Sequence, residues 1–254
     1  MRYKKNVTYI QFPLFILRKA HEDFDLMIEF IIAYGVYQKS FELCGYNYDL
    51  IDMRMGLNYL KITYQISHET LIKWEKMALF VIENYETTTT ANGKQYPMPN
   101  VKVQLLQALR TEKPNKKKID EFLGYIATQS IIGKEKYFKT NNKHVLARMM
   151  GFASFSDVEQ YGIDKLKPHS LDLYSRYLTR GTDTISKARM KTLFNRLMNS
   201  WRIIKVSEST RGYYIAMQDK ITASELGVMV AKIKRKNKAK QIQNEFKEAY
   251  KKAS

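Results

Sequence analysis

Between Trp201 and Ile203 the hydrophobic pattern of this chain changes its period. Upstream, Met190, Leu193, Phe194, Leu197 and Trp201 recur at helical spacing, within an arc of about 100° on a helix that begins near Ile185 or Ser186. Downstream, Ile203, Ile204 and Val206 precede the polar turn "SESTRG", and Tyr213, Tyr214 and Ile215 follow it. Two β-rich runs around a turn containing Gly212 read as a hairpin. The segment therefore predicts a helix over 186–200 running straight into a hairpin over 203–217.

Its polar residues are as selective as its apolar ones. No carboxylate occurs between Asp183 and Glu208, although an ordinary solvated helix would interleave Glu with Lys to gain pairs four residues apart. Ala188, Lys191, Thr192, Asn195 and Asn199 face away from the apolar stripe, with Arg189 and Arg196 on a flank and Lys187 in the first turn. On the hairpin, Arg202, Lys205, Ser209, Thr210 and Arg211 are expected to bring cations and hydroxyls to the outer face and tip, where a phosphate backbone can be met. Lys and Arg can donate to guanine O6 and N7, Asn can contact adenine at two atoms, and small Ala or Thr allows close approach.

The charge of the whole chain points the same way. Residues 1–130 hold 17 Lys and Arg against 14 Asp and Glu, whereas residues 131–254 hold 26 against 11. The net +18 is thus concentrated in the C-terminal half. With a pI near 9.7, that asymmetry is the footprint of a protein that contacts a polyanion. Clustered cations recur in the tail, where Lys232, Lys234, Arg235, Lys236, Lys238 and Lys240 lie on an expected helix from Ala223 to Lys251 with a sparse stripe of Ile233, Ile242, Phe246 and Tyr250. Phosphate contact is the favoured reading of this helix; packing on the body and a membrane-surface role are the others.

The N-terminal half reads as mostly helical. A short strand in "VTYIQFPLFIL" ends at Pro13, and helices are expected over Asp23–Phe41, after an N-cap at Ser67, over Val101–Arg110 and over Ile119–Ser130. The stretches 86–100 and 111–118 read as loops. Further on, helices are expected at Asn142–Phe152, after a cap at Ser156, and at Ser170–Leu178 with Gly181 just past its end.

The order helix, turn, helix, hairpin over Lys134–Met217 resembles the winged-helix DNA-binding family. The resemblance implies contacts from Lys187, Arg189, Lys191, Thr192, Asn195, Arg196 and Asn199 on the helix and from Ser209 and Arg211 in the wing. The long segment from Gly151 to His169 departs from that order and leaves the family's first helix unassigned. A chain of this size is also similar to plasmid or phage replication initiators built from tandem winged-helix domains, although residues 1–130 show no second clear wing.

The expected fold class is mainly α with small β-hairpins (α+β). It would comprise a helical N-terminal domain (1–132), a winged-helix-like DNA-binding domain (133–218) and a basic C-terminal helix (219–254). The four histidines show no metal spacing, and no HxH, phosphate-binding GxxxxGK[ST] or recombinase-like constellation is present. A non-enzymatic protein without cofactor or metal is therefore expected. The single cysteine, Cys44, excludes an internal disulfide and is read as a small buried residue. No run of 18 apolar residues occurs and no cleavage site is visible, so the expected setting is cytoplasmic and away from membranes. The expected function is sequence-specific binding of double-stranded DNA, as replication initiator or transcriptional regulator of a mobile element, with a homodimer or host replication or transcription proteins as further partners. The alternative is a structural or interaction protein whose basic half meets RNA or an acidic protein.

Overall fold

A computed structural model of the chain describes residues 8–19, 23–62, 66–207 and 212–253. Strand β1 (Tyr9–Gln11) stops before Pro13, which lacks the N–H a ladder needs. It pairs antiparallel with β2 (Asn100–Lys102), so the expected loop 86–100 ends in a strand. Ile10 and Val101 face the core of this ribbon, while Tyr9, Gln11, Asn100 and Lys102 alternate to its outer face.

Helix α1 (Ile16–Lys19) is one turn, and α2 (Phe24–Leu43) follows an Asp23 cap and buries Met27, Ile28, Ile31 and Ile32. Helix α3 (Met53–Leu60) packs on α2 through Gly56, whose N–H donates to Ser40 Oγ at 3.0 Å. Helix α4 (His68–Thr87) begins at the expected Ser67 cap, whose hydroxyl accepts from Thr70 N at 3.2 Å. Helices α5 (Val103–Glu112) and α6 (Lys116–Ile132) leave only residues 113–115 of the expected loop 111–118, because Asn115 caps α6 earlier than the apolar pattern suggests.

The second half adds β3 (Tyr137–Thr140), α7 (Asn142–Met149), α8 (Phe155–Tyr161), α9 (Pro168–Tyr177) and α10 (Lys187–Ser200). Strands β4 (Ile203–Ser207) and β5 (Tyr213–Met217) and helix α11 (Ala223–Ala253) complete it. The three strands form an antiparallel sheet in the order β3-β5-β4. The mainly helical α+β class is as expected.

Several local expectations are corrected. The cap of α8 is Ser154, which accepts from Asp157 N, and not Ser156. Helix α9 starts at Pro168, whose fixed φ suits a first turn. Gly181 has φ +72° but lies inside the 178–186 connection rather than at the helix end. Cys44 is half-buried at the C-cap of α2, with Sγ 3.2 Å from Phe41 O, rather than a core residue.

One hydrophobic core runs from Ile10 to Met217. The expected division at 132/133 falls at the end of α6, and α6 packs on α7, α10 and β5 as well as on β2. A second, small cluster of Ile204, Tyr214 and Ala216 with Ile221, Leu226 and Val230 holds the start of α11 on the sheet. Among the described residues no helix is long and apolar enough to cross a membrane, and no group of three or more His, Cys, Asp or Glu could hold a metal ion.

Candidate nucleic-acid interface

Helix α10 is held by its apolar face. Ser186 caps it, and Met190, Leu193, Phe194 and Leu197 are buried. Gly124 on α6 admits this face: a Cβ there would lie 3.2 Å from the Cδ1 atoms of both Leu193 and Leu197. Phe194 meets Tyr213 of β5 edge to face, with centroids 5.1 Å apart. The helix is therefore fixed about its long axis, and the opposite face is presented to solvent.

That face carries Lys187, Ala188, Arg189, Lys191, Thr192, Asn195 and Asn199, all exposed. Lys187, Arg189 and Lys191 have no ion-pair partner among the described residues. Arg189 Nη1 donates to Arg176 O in the last turn of α9 and so satisfies a carbonyl that a helix end leaves open. Thr192 Oγ1 donates to Ala188 O at 3.1 Å, which satisfies its hydroxyl within the helix.

The connection into α10 is tight. Leu178 bridges to Ile185, Thr179 N donates to Thr184 O at 2.8 Å and Ser186 N donates to Tyr177 O at 2.8 Å. Helix α9 is itself anchored, since Arg176 pairs with Asp120 at 2.5 Å and with Asp172 at 3.0 Å. Tyr177 Oη adds a bond to Asp120 Oδ2 at 3.3 Å.

These carboxylates change the local charge. Within its own segment α10 has no acid, but α6 places Asp120 and Glu121 beneath its flank. Arg196 is half-buried with Nε 4.0 Å from Glu121 Oε1, whose Oε2 accepts from Trp201 Nε1 at 3.3 Å. Arg196 thus belongs to a structural ion cluster more than to the open face. The sequence held no signal for this pairing, because the partners are far apart in the chain.

Two hairpin cations are also placed differently from expectation. Strand alternation turns Lys205 to the same side as Ile203, toward α10. Its Nζ lies 4.3 Å from the Phe194 centroid and 3.9 Å from that of Tyr213, and burial lowers its pKa. It is packed on rings instead of reaching from the outer face. Arg202 sits at the opposite end of the hairpin from the turn, with φ +54° and its carbonyl accepting from Gln218 N at 2.9 Å. Ser209 and Arg211 lie outside the described residues. Gly212, just past them, has φ +109° and brings the chain against Thr140 O, where a side chain has no room.

Lys232, Lys234, Arg235, Lys236 and Lys238 are all exposed on α11. Leu226 and Val230 dock the first turns of that helix on Ile204, Tyr214 and Ala216, the sheet face opposite α10. From Lys234 to Glu248 every side chain is exposed, including Ile242 and Phe246. The expected apolar stripe of the tail is thus split, its docking half formed by Leu226, Val230 and partly Ile233.

No protein-family model, curated protein or solved structure matches the chain.

Proposed function

We propose that this protein binds double-stranded DNA sequence-specifically, with the exposed face of α10 in the major groove, and acts as replication initiator or transcriptional regulator of a mobile element. The observation that carries the reading is that face: three cations without carboxylate partners among the described residues, interleaved with two exposed asparagines and the small residue Ala188. Cations supply affinity through counterion release, and the asparagine amides supply the base-edge donors and acceptors that distinguish one site from another. The helix-turn-helix order of α9 and α10 followed by the β4–β5 hairpin supports the likeness to winged-helix proteins. The cations of α11 are the proposed second phosphate contact.

The test is binding of the purified chain to a random duplex pool across about 50 to 300 mM salt, followed by selection of preferred sites. Steep salt dependence with an enriched motif is expected, iterated for an initiator and palindromic for a regulator. Substituting Arg189, Lys191 and Asn195 together by Ala should weaken binding to the selected site by about 100-fold or more, since each good base contact is worth about 1–3 kcal/mol, while the fold survives with a melting temperature lowered by only a few degrees through loss of the Arg189 bond to Arg176 O. Equal binding by the variant removes α10 from the interface. Preference for RNA or an acidic protein over duplex DNA would overturn the DNA reading itself.

A further inference from the structure

A cleft of about 700 Å³ opens on a part of the molecule that the α10 face does not use. One wall is the outer face of the β1–β2 ribbon, where Tyr9 stands opposite Lys102 and Gln11 opposite Asn100 in register. The other wall is made of three chain reversals: Gly133–Lys134 after α6, Trp201–Arg202 after α10 and Asp219–Lys220 after β5. Lys220 holds this wall together by donating to Gly133 O at 2.7 Å and Glu135 O at 2.9 Å. Tyr125 and Gln129 of α6 form the floor, joined by a bond from Gln129 Nε2 to Tyr125 Oη at 3.1 Å.

The chemistry of the lining is specific. Tyr9 is 49% exposed, so half of a large ring faces solvent. Lys102, Lys134 and Arg202 have no ion-pair partner among the described residues, and Asp219 is the one carboxylate residue in the described lining. Gln11 and Asn100 add side-chain amides. Past Trp201 the cleft continues as a shallower groove that adds Lys118 and Ser200 and shares Lys102, Tyr125, Trp201 and Arg202. Exposed ring, amides and several cations in one cleft together match a nucleic-acid strand: a base stacks on the ring, amides meet its edge and cations meet the phosphates. The volume lies within the range of pockets that enclose a ligand of roughly nucleotide size. The extension past Trp201, with its own cation, favours a strand over one free nucleotide.

We propose that this cleft binds single-stranded DNA, with a base against Tyr9 beside Trp201 and the backbone along Lys102, Lys134 and Arg202. The site meets α10 only at its C-terminal end, at Ser200 and Trp201, away from the exposed Lys187–Asn199 face, and stands whether or not that face reads duplex DNA. A protein that held duplex on one face and a single strand in this cleft would stabilise a locally opened duplex.

The experiment uses tryptophan emission of the full chain, since Trp74 is fully buried and Trp201 lies in the cleft. A twelve-residue oligothymidylate should quench emission saturably at low salt. The Tyr9→Ala/Lys102→Ala/Lys134→Ala variant, altered only at exposed side chains, should bind it about tenfold or more weakly, given the worth of one stacked base and two phosphate contacts. Tyr9→Phe, which keeps the ring, should bind as the parent does. The α10 triple variant should keep oligothymidylate binding. Equal binding by the cleft variant, or loss of single-strand binding in the α10 variant, overturns the proposal. Thymidine monophosphate binding as tightly as the oligomer assigns the cleft to a free nucleotide instead, and polyglutamate competing on equal terms assigns it to an acidic protein.

Discussion

His144 on α7 accepts from Arg148 Nε at 3.2 Å through Nε2, and its Nδ1 lies 3.3 Å from Thr140 Oγ1. Burial, with the Arg148 charge beside it, holds its pKa at about 4. Burial lowers His169 as well. The unfolded chain binds protons on these rings near pH 6.5 and the native chain does so only at lower pH. Between those limits the unfolded state carries more protons, so stability is full above about pH 6.5 and declines as pH falls toward 4. The melting temperature should therefore fall by several degrees between pH 7 and pH 4.5. The His144→Gln variant, which keeps an acceptor for Arg148, should show a shallower fall over that interval. An identical pH profile in the variant would mean that His144 is not protonated on unfolding in this range. Arg196 and Lys205 show the same lesson for cations: one is tied to Glu121 and the other lies over two rings, so a basic residue on the right segment is not by itself a phosphate contact.

At the scale of elements, α10 and α11 are both basic helices on different mountings. The buried residues of α10 fix its rotation against α6 and β5, so its cations are held in one direction. Only the first turns of α11 are anchored; residues 234–253 span about 30 Å at helical rise without a buried side chain among those described as far as Glu248. On such a helix charge, not packing, selects what it meets. Deleting residues 234–254 should leave the melting temperature unchanged and reduce the slope of log affinity against log salt for duplex DNA by about 3 or more, near 0.9 for each phosphate that the tail neutralises. Leu226→Ala, by contrast, should destabilise the fold by about 2–5 kcal/mol, because it uncovers the sheet. An unchanged salt slope after truncation would remove the tail from the interface.

For the whole molecule, α6 is the shared element. Its neighbours include β2 of the first half and α7, α10 and β5 of the second, and the core continues across it. A second junction lies at Arg18, whose guanidinium packs 5.0 Å from the Phe152 ring centroid and 5.4 Å from that of Tyr161, with Gly151 giving the backbone room to approach. A calorimetric scan should therefore show one cooperative transition; two resolved transitions would mean that the halves fold independently despite this junction. The sequence by itself determined the helices with strong period, the Ser67 cap, the β4–β5 hairpin and the charged face of α10, because each depends on residues within a few turns of one another. Tertiary structure alone decided the rest. Strand β3 has four residues and exists through its pairing with β5, the carboxylates beneath α10 come from a helix about 70 residues earlier, and the aromatic cleft is assembled from a ribbon and three separate reversals. Those features depend on packing between distant residues, and local propensity carries no information about which distant residues will meet.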